Sequence, residues 1–373
     1  MKIVNLVLNG FTNDSRVLKT SCSLSYFGYD VIVAAIHYDN LKEHEEVSGI
    51  NVHRIVLKSK NWSKKQPIQL IKYIEYVIRF ILNYKNADVL HCNDLHALTI
   101  GTFCRLFNKK LKIVYDSHEY AINDVPYESK FSIKRKYLIE RLFIRFADKV
   151  IVVSDSIARD YARLYNIKKP YLVFNCPNYI EQPKKNIFRE TFGIRDDQKI
   201  FLYQGGLGKG RGIEILLEYF EKHEKNENVL VCMGYGPLEN LIKSKSKTSN
   251  NIFFHKAMPH DIYLNYTSSA DYGIAFMEGY CLNDTYCLPN KMFEYLMAGI
   301  PVITSNLFEM KRLVEQEKIG VVASENTIEG FKNALNTALQ LNYAQIQKNI
   351  FQVRKKYCWQ QQEKTLNEIY HDL

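Results

Sequence analysis

No run in this sequence reaches the roughly 18 apolar residues that would span a bilayer as a helix, so none of it reads as a membrane segment. Its first strand-like stretch, 3–8, is too short for a signal peptide and reads as a buried strand. Cys-x-x-Cys is missing too. The eight cysteines are scattered from Cys22 to Cys358, which argues against a zinc site and suits a reducing cytoplasm. Gly-x-x-x-x-Gly-Lys-Ser/Thr does not occur, which excludes a nucleoside-triphosphate P-loop. No Gly-x-Gly-x-x-Gly follows the first strand, which weakens a nicotinamide reading. There is no repeat of solenoid period and no low-complexity tract.

What is present is a chain of 373 residues, 46% hydrophobic and 24% charged, long enough for two α/β domains. Its formal charge of +10 is unevenly placed. Residues 1–180 carry 27 Lys and Arg against 17 Asp and Glu, whereas 181–373 carry 23 of each. The densest part, 130–149, alternates cations with aromatic and aliphatic residues at helical spacing. Such a segment can lie on anionic lipid headgroups; it reads equally as a solvated helix with a core-facing side. Nucleic acid is disfavoured because no nucleic-acid motif accompanies the charge.

Short apolar runs alternate with helical stretches. Strands are expected at 3–8, 31–36, 52–57, 89–92, 112–115, 150–153 and 171–174, with helices between, for example at 15–27 and 67–84. After a polar linker near 178–190, strands follow at 199–203, 229–233, 252–255, 272–275, 302–304 and 320–322. This is the βαβ pattern of doubly wound parallel sheets, whose functional residues gather at the carboxyl ends of strands. Asn93, Asp94 and His96 follow one strand, and Asp116, Ser117, His118 and Glu119 another.

The run from Leu288 to Ile303 organises the second half. Pro289 precedes a helical stretch, Lys291 and Glu294 share one face of its first turn, and Gly299 and Pro301 stop it before a β-branched strand. A cation and a carboxylate at a helix N-terminus make a place for an anionic ligand, although an ordinary surface Lys–Glu pair has the same spacing. The stretch Gln204-Gly205-Gly206-Leu207-Gly208-Lys209-Gly210-Arg211-Gly212 follows a strand and precedes an amphipathic helix. Glycines there admit a phosphate to backbone N–H groups, and Lys209 and Arg211 add charge. A second glycine turn, Gly234-Tyr235-Gly236-Pro237, follows the next strand.

Together these stretches resemble the retaining glycosyltransferases of the GT-B fold, family 4. The match runs from Asn13-Asp14-Ser15-Arg16 and Phe27-Gly28-Tyr29-Asp30 through Tyr115-Asp116-Ser117-His118-Glu119 and Ile151-Val152-Val153-Ser154. It continues through the glycine turns and the 289–302 run to Trp359. The resemblance implies an α/β architecture of two Rossmann-like domains facing across a cleft. An acceptor-binding domain would occupy 1–180, a nucleotide-sugar domain 181–350, and a closing helix at 351–373 would pack back on the first domain. It implies Glu294 on the ribose hydroxyls, Arg211 and Lys291 at the diphosphate, and Gly205 and Gly206 offering backbone to the phosphates. Gly236 and the segment ending at Met258 would border the base. Asn93, Asp94, His118 and Glu119 lie where acceptor and transferred sugar would meet, with His118 orienting the sugar or taking a proton.

Two positions depart from the family pattern. A second glutamate expected eight residues before Glu294 is Tyr286, with Glu278 a candidate replacement, and an arginine expected after the first diphosphate-turn glycine is Gly206. No Asp-x-Asp occurs, consistent with arginine and lysine serving in place of a metal, so no metal and no cofactor are expected. The expected partners are a nucleoside-diphosphate sugar such as a UDP-hexose, a saccharide or lipid-linked acceptor, and the inner face of an anionic membrane. The expected activity is hexosyl transfer in surface polysaccharide or glycolipid synthesis. A sugar-nucleotide epimerase of the same fold and a non-catalytic partner of a transferase remain alternatives.

Overall fold

The structure, a computed structural model, describes residues 1–373 except 13, 64, 224–226 and 260. Asn13 of the opening motif therefore lies outside the described residues. The chain divides into two compact units. The first comprises Met1–Asn123, Glu128–Val173 and Glu363–Leu373; the second comprises Asp124–Tyr127 and Phe174–Gln362.

The first unit contains β1 (Lys2–Leu6), β2 (Asp30–Ile36), β3 (His44–Val47), β4 (Ile50–Ile55), β5 (Val89–Cys92), β6 (Lys112–Ser117), β7 (Lys149–Val152) and β8 (Tyr171–Leu172). They form one sheet in the order β3-β4-β2-β1-β5-β6-β7-β8. Every neighbouring pair is parallel except β3 with β4. β3 is not among the strands expected from the sequence, because His44-Glu45-Glu46-Val47 offers no apolar run. Ser48 and Gly49 build it, both with positive φ (54° and 81°), the requirement of a two-residue hairpin turn that matches strand twist. β8 ends at Leu172 instead of continuing to 174, because the Phe174 N–H is taken by the Gln362 side chain at 3.0 Å.

The second unit contains β9 (Lys199–Gly206), β10 (Asn228–Tyr235), β11 (Ile252–Lys256), β12 (Tyr272–Ala275), β13 (Val302–Thr304) and β14 (Gly320–Val322), all parallel, in the order β11-β10-β9-β12-β13-β14. The chain winds outward from β9 through β10 to β11, then returns to β12 on the other side. The switch point therefore lies between β9 and β12, and between β1 and β5 in the first sheet. Ligands of doubly wound sheets bind outside the carboxyl ends at such points, where consecutive loops diverge and leave a crevice.

A buried polar knot holds the carboxyl ends of the first sheet. Arg16 grips Asp116 at the end of β6 with two 2.8 Å hydrogen bonds and donates a third to the Val173 carbonyl at 2.8 Å. His91 of β5 lies 3.4 Å from the same carboxylate and 2.6 Å from the Tyr370 hydroxyl. Burial pushes the Asp116 carboxyl up, but Arg16 and His91 together hold it well below the usual range. A carboxyl depressed in the folded state contributes stability above its unfolded pKa that is lost as pH falls. Asp116→Asn leaves Arg16 buried and unmatched, so urea melts at neutral pH are expected to show a loss of about 3–5 kcal/mol.

Candidate functional site

In the second unit the site is built on the helix Asn290–Ala298, which begins after Pro289 and stops at Gly299 in the left-handed conformation (φ 78°). Tyr295 fixes this helix to the sheet across the switch point. Its hydroxyl accepts the Gln204 N–H at 3.1 Å and lies 3.0 Å from the carbonyls of Leu202 on β9 and Ile274 on β12. Its ring lies over Gly273, where an added Cβ would come within 2.3 Å of it. With Tyr295 inward, Lys291 and Glu294 leave the first turn at the carboxyl end of β9.

The Lys291 ammonium lies 3.5 Å from the centre of the Tyr203 ring and beside Gly205, whose missing Cβ would sit 3.7 Å from its Cε. Burial pushes this ammonium down from its ordinary value, the Arg211 guanidinium pushes it further, and Glu294 only partly opposes them; it titrates at about 7. Arg211 is exposed, with a weak 3.7 Å contact to the Met277 sulfur. The fold thus brings Arg211 and Lys291 together, close enough to repel. Glu294 accepts a hydrogen bond from the Gln204 amide, whose oxygen takes the Thr267 hydroxyl at 2.8 Å.

The glycine stretch differs from a simple turn. Gly205 and Gly206 continue β9 and pair with Gly234 and Tyr235 of β10. A side chain at Gly234 would drive its Cβ to 1.9 Å from the Gly205 carbonyl, so the two strands run on together only with glycine at 234. The turn begins after them, and Gly212 caps the helix Ile213–Lys222. Gly236 follows β10, and Met258 follows β11, half-buried against the core.

Glu278 follows β12, across the switch point from β9. Its N–H bonds the Gly210 carbonyl at 3.1 Å, and its carboxylate takes the Tyr280 hydroxyl. Burial raises its pKa, the charge of Glu214 adds to that, and the Gly212 N–H partly offsets it. Tyr286 ends the short helix Leu282–Tyr286.

In the first unit, Asn93 follows β5; its amide donates to Asn5 and to the Leu6 carbonyl at 3.0 Å, while its buried Oδ1 has no partner among the described residues. His118 follows β6, and its buried Nδ1 likewise has none. Asp94 caps the helix Leu95–Phe107 by accepting the Ala97 N–H at 2.6 Å, and Glu119 is exposed. A cavity of about 400 Å³ opens at the carboxyl ends of the neighbouring strands, lined by His37, Lys60, Lys72, Tyr73 and His96 among others. His37 Nδ1 is likewise buried with no partner among the described residues. A metal-type grouping among the described residues, Glu43, His44 and His53, belongs to the β3–β4 hairpin and includes none of the candidates above.

Residues 16–176 match the family described as Glycosyltransferase Family 4, and residues 184–353 match Glycosyl transferases group 1. The chain belongs to the group 1 glycosyltransferases. It is 23% identical over 319 residues to the uncharacterized glycosyltransferase MJ1607 of Methanocaldococcus jannaschii, covering 79% of this chain and 76% of that one. It is 24% identical over 248 residues to the O-antigen biosynthesis glycosyltransferase WclY of Escherichia coli, covering 62% of this chain and 65% of that one. Its fold is similar to that of Anabaena Alr3699/HepE in complex with UDP-glucose, with a TM-score of 0.76, 14% identity and full coverage of both chains.

Several residues of this glycosyltransferase's site lay outside the sequence reading. Gln204 and Thr267 orient Glu294, and Tyr295 with Gly273 seats the helix; Gln204 opens the glycine-rich stretch, but nothing in that pattern marks its side chain, and the other three lie outside any charged or glycine-rich pattern. Glu214, whose Oε2 is buried with no partner among the described residues, faces Glu278 from the first turn after Gly212. Only its place in that turn could have signalled it.

Proposed function

We propose that this enzyme transfers a hexose from a nucleoside-diphosphate sugar, with UDP as the nucleotide, to a saccharide or lipid-linked acceptor, and that it retains anomeric configuration. The observation that carries this reading is the convergence of Arg211 and Lys291 at the carboxyl end of β9, where their mutual repulsion is relieved by a diphosphate. In this reading Gly205, Gly206 and the helix after Gly212 present N–H groups to the phosphates, and Glu294, steadied by Gln204, accepts from the ribose hydroxyls. Gly236 and Met258 border the base. Likeness in fold to a protein solved with UDP-glucose supports the choice of nucleotide. Likeness in sequence to an O-antigen enzyme supports surface polysaccharide as the product.

Fixed cations stabilise the departing diphosphate without having to reorganise, which is where electrostatic catalysis gains most. The bond from anomeric carbon to phosphate oxygen breaks, the acceptor oxygen bonds to carbon on the same face, and the acceptor's proton passes to the departing phosphate oxygen. No side chain is then required as a base. Asn93 and His118, each with a polar atom unpartnered among the described residues, orient acceptor and sugar, with Asp94 capping the helix that follows Asn93 and Glu119 at the rim. No helix among the described residues is long and apolar enough to cross a membrane. The cation excess of the first half supports peripheral contact with an anionic inner membrane face.

The test is a thermal-shift panel of sugar nucleotides. Ligand at 100 times its Kd stabilises the native state by about 2.7 kcal/mol. A UDP-sugar is expected to raise Tm by several degrees, and Arg211→Ala to abolish that rise without lowering the unliganded Tm, since it removes a repulsion on Lys291. An undiminished shift in the variant would refute the assignment.

A further inference from the structure

Three helices of the first unit lie side by side: Gln66–Tyr84, Leu95–Phe107 and Lys130–Phe143. Tyr73 joins the first to the second through Thr99, and Phe103 meets Phe143 of the third at 5.9 Å between ring centres. Helices of a doubly wound sheet ordinarily turn their apolar stripe to the strands and a charged face to water. Here a large part of the apolar surface faces out. On the first helix Leu70, Ile71, Ile74, Ile78 and Leu82 are all exposed and fall within an arc of about 120° at helical spacing. On the second, Leu106 and Phe107 are exposed, Leu106 by 70%. On the third, Phe131, Leu138 and Leu142 share one face, and Phe131 is 78% exposed.

The third helix has a more unusual feature. Its one fully buried residue is a glutamate, Glu140, whose carboxylate takes the hydroxyls of Tyr115, Tyr161 and Tyr165. The helix is thus anchored by a polar residue and offers Phe131, Leu138 and Leu142 outward. Charge follows the same division. The three helices contain two carboxylates in all, Glu75 and Glu140. Glu75 is held by Ser59, the Lys58 N–H and Arg79, and Glu140 by its tyrosines. No carboxylate of these helices is exposed, while Lys65, Lys109, Lys110, Lys130, Lys134, Arg135, Arg141 and Arg145 on and beside them are. An apolar surface whose helices expose cations and no carboxylate complements an anionic bilayer, where side chains enter the acyl boundary and cations meet the headgroups.

We infer that this three-helix face inserts into an anionic membrane surface. This goes beyond the peripheral contact proposed above, since the apolar rows, and not the cations alone, hold the protein there. Adsorption by charge alone is screened as ionic strength rises, whereas buried apolar area is not.

The experiment is flotation of the full chain with phosphatidylcholine vesicles, with and without one third phosphatidylglycerol, at low and high salt and without any sugar nucleotide. Its outcome is therefore independent of the donor assignment. Binding is expected to the anionic vesicles and to persist in high salt. Ile78→Asp with Leu142→Asp, both at exposed positions, is expected to cut the salt-resistant fraction by about tenfold or more, with transfer to a water-soluble acceptor unchanged. Binding lost entirely at high salt, binding indifferent to the double variant, or a concentration-dependent dimer that the same variant dissolves would each overturn the inference, the last by assigning the face to a second copy.

Discussion

Lys291→Met is expected to reduce turnover by about 100- to 1,000-fold, the usual consequence of removing a fixed group that stabilises developing charge, and at the same time to make the protein more stable at neutral and acid pH. The second effect follows from the ammonium's position. Burial and Arg211 bring it down from 10.5 to about 7. Below pH 7 both folded and unfolded chains are protonated, and the folded state bears the full cost of a desolvated cation. Between 7 and 10.5 the folded protein loses the proton first, so that cost fades as pH rises. Methionine fills similar space without charge and forfeits only the contact with the Tyr203 ring, worth about 0.5–1 kcal/mol. A net gain of about 1–3 kcal/mol is expected at pH 6, as when buried ions are replaced by apolar groups, shrinking towards zero above pH 10. Calorimetry at pH 6 and pH 9 measures the difference. In the unaltered enzyme the same titration predicts that the KM for donor rises above pH 7, because a neutral amine no longer attracts diphosphate. Saturating donor, which favours the charged amine, flattens the dependence of kcat. A Met variant that is less stable at pH 6 and turns over normally would remove Lys291 from the site.

The parts of this molecule legible in its sequence are those whose cause is local. Both sheets announce themselves because strands buried on two faces must be continuously apolar, as at Val229–Cys232, where every residue is buried. The Lys291–Glu294 helix declares its start and stop through Pro289 and Gly299. The hidden parts depend on residues distant in the chain. β9 runs on through Gly205 and Gly206 because Gly234 lies opposite, and neither strand alone shows this. Tyr295 reads as one more apolar helix residue until Gly273 and two backbone carbonyls are set against it. Lys130–Phe143 reads as an amphipathic helix in either orientation; which side turns inward is decided by Tyr115 of β6 and by Tyr161 and Tyr165 of the helix Asp155–Tyr165, closing on Glu140. Asp94 is expected at the acceptor site from its position after a strand; one of its carboxylate oxygens also caps a helix, a role that same position equally serves.

Glu278→Gln is expected to lower kcat by about 10- to 100-fold, the range of one hydrogen bond made by a charged group, while donor affinity changes little. Position is the reason. With tyrosine at 286, the helix Leu282–Tyr286 ends without a carboxylate, whereas Glu278 follows β12 directly across the switch point from the glycines of β9. Burial and the neighbouring Glu214 raise its pKa, so in the folded enzyme it ionises at higher pH than in the unfolded chain. Its ionisation therefore costs stability as pH rises above the unfolded value, and the glutamine variant should melt higher at neutral pH but match the parent in acid. The same coupling separates a sugar-orienting role from a merely structural one. Glu214→Gln removes the charge that opposes ionisation of Glu278, so the acid limb of the kcat profile is expected to move to lower pH, with its height preserved. A purely structural Glu278 would leave that limb in place in the Glu214 variant and full turnover in its own.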